Sequence, residues 1–160
     1  MILTYSGKRL FKIYVDNPDI YHVPKIWKLV DRIGELDCLV GIPHIFCFFA
    51  CLGPAPNLKV FQLRESTGLQ QLVPPKIFGG YFPSLQQLCL ETWVAWPTGL
   101  FKNLRSFEVG VDPEHDLSPT DVLDVLWESP LLENLHLVSS YWPPDDEPLP
   151  IALPSLKNCK

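Results

Sequence analysis

One phrase recurs along this chain: an apolar residue, two spacers, a second apolar residue, one spacer, and a third. PSLQQLCLETW (83–93) carries it as Leu85, Leu88 and Leu90, and PLLENLHLVSS (130–140) as Leu132, Leu135 and Leu137. It also fits Leu10/Ile13/Val15, Ile33/Leu36/Cys38, Leu58/Phe61/Leu63 and Leu104/Phe107/Val109, and a last copy begins at Leu156 and Cys159. Successive first positions lie 23, 25, 27, 19, 28 and 24 residues apart. Five copies follow a turn phrase: APNL, FPSL, LFKNL, SPLL and LPSL. The spacers are polar apart from Phe11, Tyr14, Val60 and Cys89. A strand with one buried face must alternate in this way, because successive side chains point to opposite sides.

A period near 25 residues leaves room for one short strand and one return segment per copy, the spacing of a leucine-rich repeat. The predicted fold is therefore an α/β leucine-rich-repeat solenoid of about six to seven repeats. Its parallel sheet would line a concave face, with helices and loops on the convex side. Residues 1–160 would form a single domain, truncated at both ends. A chain of 160 residues with 47% apolar content can bury a core of that size. Seventeen prolines argue for many punctuated turns and against long helices.

Among the return segments, SPTDVLDVLWESP reads most clearly as a helix. Ser118 would cap it, Pro119 would open the first turn, Asp121 would follow three residues after the cap, and Val122, Val125 and Leu126 would share one face. Pro24–Ile33 and His44–Leu52 are also expected to be helical. LQQLVPPKIFGGYF (69–82) should form an irregular or one-turn connection, and TWVAWPTGLF (92–101) a loop. Neither terminus offers a polar cap for the open end of such a stack, which predicts marginal stability or self-association.

The phrases APNLKVFQLRE, IFGGYFPSLQQLCLE with LFKNLRSFEV, and VLDVLWESPLLENLHLVSS with LPSLKN resemble the leucine-rich-repeat region of fungal F-box proteins, clearest over 55–160. The resemblance implies the substrate-recognition part of a cullin–RING ubiquitin ligase receptor. In such proteins an F-box binds the ligase adaptor and the repeats bind the protein substrate. No F-box-like segment precedes the first repeat in this sequence, so an adaptor is expected as a partner only if an F-box lies upstream. The alternative is a leucine-rich-repeat scaffold or adaptor unrelated to ubiquitin.

Within each strand, the third and fifth positions should point into the concavity and meet the partner. The candidate binding residues are Tyr14, Glu35, Asp37, Gln62, Arg64, Gln87, Cys89, Glu91, Glu108, Asn134 and His136. The middle of this row is acidic, with Glu35, Asp37, Glu91 and Glu108 against Arg64, and is expected to select a basic or amide-rich protein segment. A net charge of −5 argues against nucleic acid, which requires a basic face. The longest apolar run, 42–52, is too short for a membrane span, so no membrane partner is expected.

No catalytic residues, metal or cofactor are expected. His44, Cys47 and Cys51 have a spacing that can converge on one helix face, but the aromatic residues around them suit core cysteines better. Cys38 and Cys159 occupy core positions. Cys89 is expected on the open face, with nothing adjacent in sequence to activate it as a nucleophile. Trp93, Trp96 and Trp142 should cover repeat edges, and PPDDEPLP (143–150) reads as an exposed acidic loop. Five cysteines, an odd number without framework spacing, and no signal peptide predict an intracellular protein.

Overall fold

The computed structural model describes residues 2–4, 10–16, 23–40, 52–65, 71–72, 77–91, 94–96, 99–111, 119–139 and 152–160. Its main sheet holds β1 (Ile2–Thr4), β2 (Phe11–Asp16), β3 (Ile33–Val40), β4 (Val60–Glu65), β6 (Gln87–Glu91), β8 (Ser106–Val111), β9 (Asn134–Ser139) and β10 (Asn158–Cys159), in that spatial order. From β2 to β10 the seven strands are parallel, and each lies beside the next in sequence, as in a solenoid. Two helices are described, α1 (Val23–Trp27) and α2 (Pro119–Trp127). A second, two-stranded parallel sheet joins β5 (Gln71–Leu72) to β7 (Val94–Ala95).

The repeated phrase falls into register across the whole sheet. Ile13, Leu36, Phe61, Leu88, Phe107, Leu135 and Cys159 face one another strand by strand, and so do Val15, Cys38, Leu63, Leu90, Val109 and Leu137. Most of these side chains are buried in one continuous core. Each fully buried one contributes roughly 1.5–3 kcal/mol of transfer free energy.

Backbone geometry repeats with the sequence. Leu58, Leu85, Leu132 and Leu156 each donate their N–H to the carbonyl three residues back, at Ala55, Phe82, Ser129 and Leu153. Pro56, Pro83, Pro130 and Pro154 follow those acceptors, the turn position that proline's fixed φ suits. Lys102 replaces proline in the LFKNL copy. There Asn103 adopts φ +58°, its N–H bonds the Glu128 carbonyl, and the Leu104 N–H bonds the buried Ser129 Oγ at 3.1 Å. Side chains tie adjacent turns too: Asn57 Nδ2 donates to the Asp31 carbonyl at 2.7 Å, and Ser84 Oγ to the Pro56 carbonyl at 2.6 Å.

At the second position of the phrase, a single carbonyl usually accepts two N–H groups from the next strand. Lys59 O receives Gln86 and Gln87, Gln86 O receives Arg105 and Ser106, Arg105 O receives Glu133 and Asn134, and Glu133 O receives Lys157 and Asn158.

Behind the sheet runs a chain of aromatic rings. Phe61 meets Phe78 edge-on at 5.5 Å, Phe78 meets Phe82 at 6.1 Å, and Phe82, Phe101, Trp96 and Phe107 continue it at 6.0–6.1 Å. Phe78 sits in the left-handed region (φ +50°), which costs about 1–2 kcal/mol for a residue with a Cβ. Burying its ring, 2% exposed, together with the edge-on contacts, outweighs that cost.

Several expectations change. The first phrase was expected to bury Leu10, but Phe11 pairs with Ile33 and is buried instead, through a bulge between Phe11 and Lys12. Leu10 sits outside, packed over Gly34, where an added Cβ would stand 2.7 Å from the Leu10 Cβ. The helix expected over Pro24–Ile33 is only five residues long. A 3-10 turn at Val30–Arg32 follows it, and Ile33 already belongs to β3. The α2 helix forms as expected, with Val122, Val125 and Leu126 buried; Ser118 lies outside the described residues. The 69–82 segment does hold a one-turn element, Ile77–Gly80. The outer edge of β2 is paired by antiparallel β1. Cys159 aligns with Leu135 but is exposed rather than buried. The segment 41–51, with most of the expected second helix, lies outside the described residues.

Candidate protein-binding face

The sheet face away from the core carries two rows of side chains, one strand spacing of about 4.8 Å between neighbours. Third positions align as Lys12, Glu35, Val60, Gln87, Ser106, Asn134 and Asn158. Fifth positions align as Tyr14, Asp37, Gln62, Cys89, Glu108 and His136. Nine of the residues expected to form the binding surface therefore share one face. Arg64 joins them through Asp37. Glu91 is in register with Arg64, and its side chain lies outside the described ones.

Carboxylates of this row meet basic side chains on neighbouring strands. Lys12 Nζ lies 2.9 Å from Glu35 Oε2 on the next strand. Arg64 reaches diagonally across to Asp37, placing Nη2 2.7 Å from each carboxylate oxygen and Nε 3.2 Å from Oδ1. The same guanidinium lies 5.9 Å from the centre of the Tyr14 ring. His136 Nδ1 is 3.0 Å from Glu108 Oε1. Each of these carboxylates meets a nitrogen base across a strand boundary, the cross-strand pairing that stabilises sheets. Toward β9 and β10 the third-position row becomes uncharged. Asn158 Nδ2 donates to Asn134 Oδ1 at 2.7 Å, and Gln87 is exposed beside half-buried Ser106.

Cys89 takes its expected place on the outward row, but it is largely covered there. Its side chain is only 9% exposed, because Gln62 and Glu108, its longer neighbours in register, stand on either side. Cys38 lies in the core as expected, and burial pushes its thiol well above the ordinary range, with the Asp37 charge adding to the effect. Trp96 is buried within the aromatic chain, its Nε1 without a hydrogen-bond partner. Trp93, Trp142 and the 143–150 segment lie outside the described residues, as do His44, Cys47 and Cys51. Among the described residues no three His, Cys, Asp or Glu side chains converge as metal ligands. No described helix is long and apolar enough to cross a membrane.

One cluster escaped the sequence reading. Glu133, at a second position, accepts from Arg105 at 2.5 Å and Lys157 at 2.7 Å, on the strands to either side. The signal was present in the alternation of charge at Arg105, Glu133 and Lys157, one residue past each first leucine.

Compared with protein-family models, with curated proteins and with solved structures, the chain matches none.

Proposed function

We propose that the chain is a leucine-rich-repeat solenoid of about six to seven repeats, acting as a non-catalytic protein-interaction module. The specific reading is the substrate-recognition region of an F-box-type ubiquitin ligase receptor, working in the cytoplasm or nucleus. One observation supports the module most: a core line from Ile13 to Leu135 kept in register over six parallel strands, with mostly polar side chains projecting between its members. Such a sheet spends its apolar residues on stacking and leaves a regular array of hydrogen-bonding groups toward a partner. The ligase reading rests on the phrases shared with fungal F-box proteins.

A photo-crosslinking residue placed at Gln87 or Ser106 in the full-length gene product tests both parts. The expected result is a crosslinked protein partner, lost in Gln62→Arg/Asn134→Arg, with cullin–RING adaptor subunits in the same purification. Crosslinks unchanged by the double substitution would overturn the binding face. A partner captured without ligase subunits would leave the module and remove the ubiquitin link.

A further inference from the structure

We draw no further inference here: the strongest candidate, the uncharged row of Gln87, Ser106, Asn134 and Asn158 across β6, β8, β9 and β10 on the open face of the sheet, belongs to the binding face already described, and nothing in the structure shows what covers it.

Discussion

Arg64 holds both carboxylate oxygens of Asp37 from the neighbouring strand, two residues beyond the partner that register alone would give it. The two ends differ in exposure: the Asp37 side chain is 15% exposed and the Arg64 side chain 35%. Bidentate geometry and partial burial place the pair toward the upper end of what surface ion pairs contribute. A double-mutant cycle with Asp37→Asn and Arg64→Met should give a coupling of about 1 kcal/mol by urea denaturation. A coupling indistinguishable from zero would make the pair decorative.

Gly34 should tolerate no side chain. Its added Cβ would meet the Leu10 Cβ at 2.7 Å, a contact that no rotamer of Leu10 relieves. Gly34→Ala is expected to cost about 1–3 kcal/mol, read as a lower melting temperature. Leu10→Ala keeps the offending atom, so it should fail to restore the loss.

The Ile77–Gly80 turn separates collision from conformation. Gly80 has φ +73° and nothing within 4 Å of an added Cβ. Gly80→Ala should therefore lose only the left-handed backbone term, about 1–2 kcal/mol. Phe78→Ala keeps the same backbone but removes a buried ring, and should lose about 3–5 kcal/mol. Equal losses in chemical denaturation would mean that the aromatic chain contributes little.

Glu133 ties stability to acid. Hydrogen bonds from Lys157 and then Arg105 hold its carboxyl below the ordinary value of 4.5. The folded form thus keeps the ionised group to lower pH than the unfolded chain does. The stabilisation is full above pH 4.5 and is lost as pH falls from there through the lowered folded value. Glu133→Gln should flatten that part of the stability–pH curve, and Lys157→Ala should flatten it partly. Added salt should weaken the effect, since all three side chains reach water.

Much of the sheet could be read from residue order because apolar spacing and register express the same constraint. Leu63, Leu90, Val109 and Leu137 align because a parallel strand that slips by one residue would turn its leucines toward water. The α2 helix was legible for the same reason, through the spacing of Val122, Val125 and Leu126. Leu10 and Phe11 were not, because both are apolar and only a bulge decides which enters the core. β5 and β7 are two residues each, too short to carry any period. On the open face, alternation showed which residues point outward but not whom they meet. Arg64 reaches Asp37 diagonally, Glu108 meets His136, and Cys89 is hemmed in by longer neighbours, none of which residue order alone displays.

The doubly used carbonyls have an evolutionary reach beyond holding strands together. Lys59, Gln86, Arg105 and Glu133 perform the same main-chain task with four different side chains. These main-chain bonds therefore place no chemical demand on which side chain projects there. A chain built this way can revise one border by single codon changes, with no compensating change inside, and so acquire new associates while its scaffold is inherited intact.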